Sequence, residues 1–205
     1  MKKSRIANFI KVFVKKPLDV GSITPSSRFL AAAILKNLDF SQLKVVVEYG
    51  PGTGVFTQFL LSSSSPSKTQ VRVIEFNADF VSHLNERFPA NQYNIVIKQD
   101  RAANVKNILK TPDELVDVVI SSLPFTFFPW EETLATINAS YEVLADGGVF
   151  RTYLYLHTLP LPKIQRLLSH LKVLFGNLNS WVVLANIPPA IVVECIKSQG
   201  KMRAH

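Results

Sequence analysis

The residues that say most about the architecture of this chain are 45–56, which read VVVEYGPGTGVF. Consecutive valines favour a strand buried on both faces, and three glycines follow at alternate positions, Gly50, Gly52 and Gly54. A glycine costs up to about 1 kcal/mol relative to alanine inside regular structure. Three glycines so close together therefore predict a tight turn between a buried strand and a helix that begins near Val55.

Strand-like and helix-like segments alternate on both sides of this turn. The predicted strands cover residues 44–49, 70–76, 93–99, 116–123 and 147–156, and the predicted helices lie near 55–62, 78–88, 102–110, 130–144 and 161–175. Such alternation produces a mainly parallel sheet through right-handed crossovers. Two more strands that meet at Pro188 and Pro189 predict a C-terminal antiparallel hairpin. The predicted fold class is therefore α/β: a Rossmann-like, seven-stranded, mostly parallel sheet with helices on both faces.

The basic amino terminus differs from the rest of the chain. The net charge is +8, and residues 1–16 contain Lys2, Lys3, Arg5, Lys11, Lys15 and Lys16 but no acid. On a helix, Ile6, Phe9, Ile10 and Phe13 would form one apolar stripe. This composition is typical of a helix that lies in an anionic membrane interface. A helix packed on the domain, a disordered tail and a nucleic-acid-binding arm are the alternatives.

The chain is therefore divided into a basic amphipathic segment, residues 1–20, and a domain, residues 21–205. The domain is predicted to begin with a helix capped by Ser26 or Ser27. One face of that helix would carry Leu30, Ala33, Ile34 and Leu38.

Cysteine and histidine usage excludes several classes of site. The lone Cys195 excludes an intramolecular disulfide and a multi-cysteine zinc site, and its surroundings predict a buried strand thiol. No histidine or cysteine pair has ligand spacing, so no metal is expected. No stretch reaches the roughly 20 apolar residues that span a bilayer. We expect a cytoplasmic protein that associates peripherally with the membrane.

The glycine turn and a downstream acid predict a ligand site. Open parallel sheets bind ligands at the carboxyl ends of their strands. The second strand ends in Glu75, 21 residues after Gly54, where a carboxylate can accept hydrogen bonds from ribose hydroxyls. The expected ligand is an adenosine-containing cofactor. The dinucleotide fingerprint G-x-G-x-x-G is not matched, because the third glycine, Gly54, comes one position early and Val55 occupies its expected place. The chain also has no G-K-[S/T] segment, which argues against a P-loop.

The pattern Glu48-x-Gly50-x-Gly52-x-Gly54 resembles the first motif of class I S-adenosylmethionine-dependent methyltransferases. The resemblance implies S-adenosyl-L-methionine as the cofactor. The residues that it implies for cofactor binding are Glu48, Gly50, Gly52, Gly54, Glu75 at the ribose, Asp100 at the adenine amino group, and Ser122. Asp100 could instead cap the helix predicted at 102–110.

Further segments narrow the resemblance. They are KPLDVGSITPSSRFLA (16–31), VIEFNADFVSHLNERFP (73–89), ISSLPF (120–125) and WVVLANIPPA (181–190). Together they are similar to the short, soluble type of bacterial phospholipid N-methyltransferase, which converts phosphatidylethanolamine towards phosphatidylcholine. The resemblance implies a phosphatidylethanolamine-type substrate at the membrane surface, with an anionic membrane contacted by residues 1–16. The candidates for a phosphate partner are Lys15, Lys16, Arg28 and Arg151.

The segment Ser122-Leu123-Pro124-Phe125 helps to distinguish between possible methyl acceptors. Adenine-methylating enzymes carry Asn/Asp-Pro-Pro-Tyr or Asn-Leu-Pro-Tyr at this position. Serine in place of asparagine removes a side-chain carbonyl, which weakens the alternative of an RNA adenine N6-methyltransferase and makes nucleic acid a less favoured partner. A non-catalytic, membrane-attached cofactor-binding module is the other alternative.

Several side chains near the strand ends are candidates for handling the amine. The catalytic candidates are Ser122, Tyr49 and Tyr153, and Tyr155 and His157 are their neighbours on the fifth strand. Plain packing is the alternative for each tyrosine. An apolar, lipid-facing mouth is predicted from Phe125, Phe127, Phe128 and Trp130, part of which could instead belong to the core.

Overall fold

The computed structural model describes residues 25–64 and 68–198. The predicted amphipathic segment, residues 1–20, lies outside the described residues, and so do Lys15 and Lys16. Within these ranges no helix is both long and apolar enough to cross a membrane.

A seven-stranded sheet forms the centre of the described part of the chain. Its strands are β1 (Val45–Tyr49), β2 (Gln70–Glu75), β3 (Ile95–Gln99), β4 (Val116–Ser121), β5 (Leu144–Tyr155), β6 (Asn179–Val183) and β7 (Ala190–Ile196). The α-helices are α1 (Pro25–Leu35), α2 (Val55–Ser63), α3 (Ala78–Arg87), α4 (Trp130–Val143) and α5 (Pro162–Phe175). Two 3₁₀ helices cover Ala102–Ile108 and Leu156–Thr158.

The strand order is β3-β2-β1-β4-β5-β7-β6. The first five strands of this order are parallel, whereas β7 runs antiparallel to both β5 and β6. The order reverses between β1 and β4, and such a reversal opens a crevice at the carboxyl ends of the strands. The predicted Rossmann-like fold class, including the C-terminal hairpin, is confirmed.

Each face of the sheet has its own apolar layer because successive strand residues point to opposite sides. Val46 and Val73 belong to the cluster that includes α1 and α2 residues, whereas Val47 and Val119 belong to the cluster that includes α4 and α5 residues. Cys195 on β7 is buried, as predicted, and burial raises the pKa of its thiol to about 12.

Two predicted local features are wrong. The first helix begins at Pro25, so Ser26 and Ser27 lie inside its first turn and are not its cap. It ends at Leu35, before Leu38. The helix predicted at 102–110 is a 3₁₀ helix with non-helical backbone angles at Asn104.

Arg151 holds the end of α1 against the sheet. Its Nη1 donates to the carbonyl oxygens of Ile34 and Lys36 at 2.7 and 2.8 Å, and its Nε donates to a carboxylate oxygen of Glu194 at 2.8 Å. The side chain is only 3% exposed. These contacts contradict the prediction that Arg151 meets a lipid phosphate, because its donors are already committed to protein acceptors.

Candidate cofactor and substrate site

The predicted site residues converge because four strands end side by side. Beyond β1, the Gly50 N–H donates to the Ile74 carbonyl of β2 at 2.9 Å, and the Ser122 N–H donates to the Tyr49 carbonyl at 2.9 Å. On the far side, the Asp100 N–H donates to the Glu75 carbonyl at 3.1 Å. The carboxyl edge of the sheet therefore brings Gly50, Glu75, Asp100 and Ser122 into one row.

The three glycines of the β1–α2 loop all have positive φ angles, +62° at Gly50, +57° at Gly52 and +81° at Gly54. Their surroundings differ. A Cβ added at Gly54 would lie 2.7 Å from Phe88 and 2.8 Å from Leu84, so this glycine lets the loop pack on α3. A Cβ at Gly52 would meet nothing within 4 Å in the part of the chain that the structure describes. Gly52 therefore combines an unusual backbone angle with open space, the arrangement expected where a ligand lies against the backbone.

Glu75 at the end of β2 is held by the same loop. One carboxylate oxygen accepts a hydrogen bond from the Gly52 N–H at 3.2 Å, and the other accepts from the Asn77 N–H at 2.8 Å. Burial raises the pKa of this carboxyl, and the backbone amides oppose that shift. A carboxylate oxygen can accept more than one hydrogen bond, so Glu75 could also receive ribose hydroxyls.

Glu48, inside β1, carries a buried oxygen with unused hydrogen-bonding capacity. Its Oε2 accepts a hydrogen bond from the Thr57 hydroxyl at 2.7 Å, whereas its Oε1 has no partner among the described residues. Burial is the main cause that raises the pKa of this carboxyl to about 8; the hydrogen bond from Thr57 opposes the shift and the nearby Glu75 charge adds to it. Buried polar atoms are rarely left unsatisfied, so a donor from a cofactor or an ordered water would fit here.

Ser122 supplies the second such oxygen. Its side-chain hydroxyl is buried and has no hydrogen-bond partner among residues 25–64 and 68–198, although its backbone N–H is bonded to Tyr49. It directly follows β4, the strand next to β1. Glu48 is on β1 and Ser122 directly follows the neighbouring strand β4, so both unsatisfied oxygens lie beside the glycine loop, which fits a polar ligand in this crevice.

Asp100 organises the turn that follows β3. Its carboxylate accepts hydrogen bonds from the side-chain amides of Asn104 and Asn107 at 2.7 and 3.1 Å, and from the Arg101 N–H. Partial burial opposes ionisation, but these donors prevail and lower the pKa of Asp100. The residue at the N-cap of the 3₁₀ helix is Arg101, so Asp100 braces this turn through the two asparagine side chains and is not the helix cap that was its alternative. A contact with adenine stays a prediction.

Tyr49 lies in the core and not in the crevice. The side chain is fully buried on the α4 and α5 face, and Ser140 Oγ on α4 is 3.2 Å from its hydroxyl. Burial raises the pKa of Tyr49 well above the ordinary value. This placement contradicts the predicted contact between Tyr49 and an amine, because the ring and the hydroxyl are both enclosed by protein.

Tyr153 and Tyr155 share one side of β5, as alternation along a strand requires. Tyr153 packs edge-on against Phe56 of α2, and the ring of Tyr155 stacks on His157 at a centroid distance of 5.7 Å. These partly exposed rings form a row beside the first turn of α2. Tyr153 contacts Phe56, two residues after Gly54, so it stays a candidate for orienting an amine.

The predicted aromatic mouth is divided between core and surface. Phe125 is buried, which is a correction to its predicted place in the mouth, and it packs edge-on against Phe128. Trp130 is the first residue of α4, and the guanidinium carbon of Arg166 lies 4.0 Å from the centroid of its ring. Phe127 is half-exposed on the loop after β4. Of the four aromatics, Phe127 is therefore the most accessible to a lipid.

Two residues with defined roles at this edge escaped sequence reasoning. Thr57 is the hydrogen-bond donor to Glu48, and Lys163 donates to the carbonyl oxygens of Thr126 and Phe128. The position of Thr57 one helical turn after Gly54 is a signal in hindsight, because the first turn of α2 must face the end of β1. Lys163 had no such signal, since its acceptors are backbone atoms 35 and 37 residues away.

Comparison with known proteins agrees with this geometry. The family described as "Methyltransferase domain" matches residues 46–148. The chain is 33% identical over 143 residues to Ornithine lipid N-methyltransferase of Singulisphaera acidiphila, which is 69% of this chain and 73% of that protein. It is 36% identical over 67 residues to Ribosomal RNA small subunit methyltransferase A of Phocaeicola vulgatus, only 22% of that protein.

A solved structure has the same fold. The 16S rRNA methyltransferase of T. thermophilus in complex with AdoMet and guanosine superposes with a TM-score of 0.63 at 20% identity, covering 88% of this chain and 45% of that one. The predicted cofactor is confirmed by the family match and by neighbours of this kind. The chain therefore belongs to the class I S-adenosylmethionine-dependent methyltransferases, with S-adenosyl-L-methionine as its cofactor.

Proposed function

We propose that this enzyme transfers a methyl group to the primary amine of a lipid headgroup at the membrane surface, with phosphatidylethanolamine-type lipids as the predicted substrate class. The observation that carries the proposal is the 33% identity to an ornithine lipid N-methyltransferase over 73% of that protein. Ornithine and ethanolamine headgroups both present a primary amine. The relative and the family that the sequence resembles therefore have the same kind of methyl acceptor, an amine on a lipid headgroup.

The cofactor would be held along the carboxyl edge of the sheet. The backbone at Gly52 offers open space, Glu75 offers carboxylate lone pairs for the ribose, and Glu48 offers the unpartnered Oε1. Asp100 is proposed for the adenine end. When bound, S-adenosyl-L-methionine supplies an electrophilic methyl group on a sulfonium centre. The contribution of the protein is alignment, which can account for a large part of the acceleration of such a transfer.

Ser122 is the side chain proposed to meet the acceptor amine. A lipid ammonium resembles that of lysine, whose ordinary pKa is about 10.4, so it must lose a proton before it can act as a nucleophile. Entry into a crevice that excludes water favours the neutral amine. The unpartnered Ser122 hydroxyl could then accept one amine N–H and direct the nitrogen lone pair towards the methyl group.

Attachment to the membrane is proposed through residues 1–16, whose six cations are attracted to anionic lipid. The second candidate function is RNA methylation, which the match to a ribosomal RNA methyltransferase over 67 residues favours. That match covers 22% of the relative, whereas the lipid enzyme is matched over most of its length.

The test is methyl transfer from radiolabelled cofactor to vesicles that contain ornithine lipid or phosphatidylethanolamine, with ribosomal RNA in a parallel reaction. The proposal predicts label in the lipid extract. It also predicts that Ser122→Ala lowers kcat/KM for lipid by roughly tenfold, the effect of one lost hydrogen bond of about 1.4 kcal/mol. Ser180→Ala, at an exposed position on β6, is the matched control and should leave kcat/KM unchanged. Label in RNA alone would refute the proposal.

A further inference from the structure

Three loops at the mouth of the site expose apolar side chains. They are residues 124–129 after β4, residues 159–162, which end at the first residue of α5, and residues 184–189 between β6 and β7. The three loops together are here called the apolar platform. Ile187 is 83% exposed, Leu184 is 72% exposed, and Phe127 and Leu161 are also exposed. Soluble proteins seldom expose large apolar side chains on adjacent loops unless those loops bind a partner or a membrane.

The three loops belong to the same edge of the sheet as the cofactor site. β4 and β5 are parallel, and β6 runs in the direction of β5 because both are antiparallel to β7. The register that pairs Tyr155 with Ala190 and Ala190 with Val183 places the β6–β7 turn beside the end of β5. The apolar platform therefore lies along the same edge of the sheet as the crevice, on its β4, β5 and β6 side.

Hydrogen bonds fix the loops to one another. Lys163, in the first turn of α5, donates to the carbonyl oxygens of Thr126 and Phe128, which joins the first loop to the second. The Leu156 N–H donates to the Pro189 carbonyl at 3.0 Å, which joins the third loop to the end of β5. The Asn186 side chain is buried and donates to the Pro188 carbonyl at 2.6 Å, so this polar group is turned away from the surface.

The chemistry of the loops suits a lipid interface. Residues 124–129, 159–162 and 184–189 contain no lysine, arginine, aspartate, glutamate or histidine. They contain six of the 12 prolines of the chain: Pro124, Pro129, Pro160, Pro162, Pro188 and Pro189. Proline has no backbone N–H, so a proline-rich tip leaves few donors to desolvate when it enters an apolar layer. The net charge of +8 complements an anionic membrane surface.

We propose that the apolar platform inserts into the lipid interface and turns the cofactor crevice towards the headgroup layer. This inference rests on the proposed lipid substrate and adds a second membrane contact to the one proposed for residues 1–16. Insertion of Leu184 and Ile187 would bring the ends of β4 and β5 to the level of the headgroups. The amine would then reach Ser122 without the lipid leaving the bilayer.

Matched variants can test this inference in the full chain. Leu184→Ser/Ile187→Ser removes two exposed aliphatic side chains from the platform. Leu115→Ser/Val173→Ser removes two from the opposite edge, where Val173 is 83% exposed and Leu115 is 52% exposed. Both variants keep all the cations of residues 1–16. Sedimentation with vesicles of phosphatidylcholine and phosphatidylglycerol should show a partition coefficient lowered at least about tenfold by the first variant and unchanged by the second.

A fluorescent label gives a second measurement that does not depend on activity. The native Cys195 is buried, so a polarity-sensitive dye would react with a cysteine introduced by Ile187→Cys or Val173→Cys. We expect vesicles to shift the emission of the dye to the blue at position 187 and not at position 173. No shift at position 187 while the protein binds vesicles would overturn the proposal. A dye at position 187 that is already shielded without vesicles would also overturn it, because another part of this chain or a second copy would then cover the platform.

An activity measurement separates this inference from the proposed function. The Leu184→Ser/Ile187→Ser variant should methylate a short-chain, monodisperse aminolipid as the unaltered protein does, yet lose at least tenfold on vesicles. If the unaltered protein methylates neither lipid form, the proposed function fails while the vesicle-binding result still decides the membrane contact. If the variant binds and methylates vesicles normally, the proposed function stands and the inference fails.

Discussion

Replacing Gly52 with alanine tests whether the backbone at this position contacts the cofactor or only forms a turn. Gly52 has a φ of +57°, and an added Cβ would meet no atom of residues 25–64 and 68–198 within 4 Å. The cost to folding is therefore only the strain of an L-residue in the left-handed region, about 1 kcal/mol. The same Cβ would project into the space proposed for S-adenosyl-L-methionine.

Gly54→Ala is the matched comparison because its φ is also positive, at +81°. There the added Cβ would lie 2.7 Å from Phe88 and 2.8 Å from Leu84, both of which are buried. Overpacking of this kind costs typically 1–3 kcal/mol in addition to the backbone strain, so the sum is about 2–4 kcal/mol. For a chain of this size, each kcal/mol lowers Tm by about 2–4 °C.

Thermal unfolding and calorimetric titration with S-adenosyl-L-methionine check both variants. We expect Gly52→Ala to lower Tm by about 2–4 °C and to weaken cofactor binding at least tenfold, or about 1.4 kcal/mol. We expect Gly54→Ala to lower Tm by about 4–16 °C. Unchanged cofactor affinity in Gly52→Ala would refute the assignment of this loop as the cofactor cradle, since a cofactor held against this backbone would meet the added Cβ.

Other substitutions test the buried polar groups. The Glu48 carboxyl has an ordinary pKa of 4.5 and a folded pKa of about 8, so the folded state binds the extra proton between these values and stability must fall as pH rises from about 4.5 to 8. Glu48→Gln should flatten that decline in denaturant titrations without cofactor, and an unchanged pH dependence would count against the raised pKa. Arg151→Met should cost about 3–5 kcal/mol in urea unfolding because it leaves Glu194 unpaired, and a loss of lipid activity at unchanged stability would restore its predicted phosphate role. Tyr49→Phe should cost about 0.5–1.5 kcal/mol through the lost contact with Ser140 while kcat stays unchanged; a large fall in kcat would return Tyr49 to the catalytic candidates.

The parallel part of the fold could be predicted because strand and helix periods alternate, and the hairpin because two apolar runs flank Pro188 and Pro189. The glycine loop and Glu75 could be placed together because parallel strands end at one edge. Their direct contact, from the Gly52 N–H to the Glu75 carboxylate, follows from that topology.

The failures have a common physical origin in side-chain direction. Tyr49 ends a strand next to the glycine loop, but its side chain points to the α4 and α5 face and is enclosed there. Arg151 looks like an available cation in the sequence, yet the topology brings it to the last turn of α1 and to Glu194 on an adjacent strand. Sequence spacing predicts which edge a residue reaches, whereas its partners depend on long-range packing.

The central claim is that this carboxyl edge delivers a methyl group to a lipid amine. The most direct measurement is mass spectrometry on the products of one reaction that contains the enzyme, S-adenosyl-L-methionine, aminolipid vesicles and ribosomal RNA together. The account predicts a mass increase on the lipid, with fragmentation that places the added methyl on the headgroup nitrogen. Methylated adenine in the RNA with unmodified lipid would contradict it.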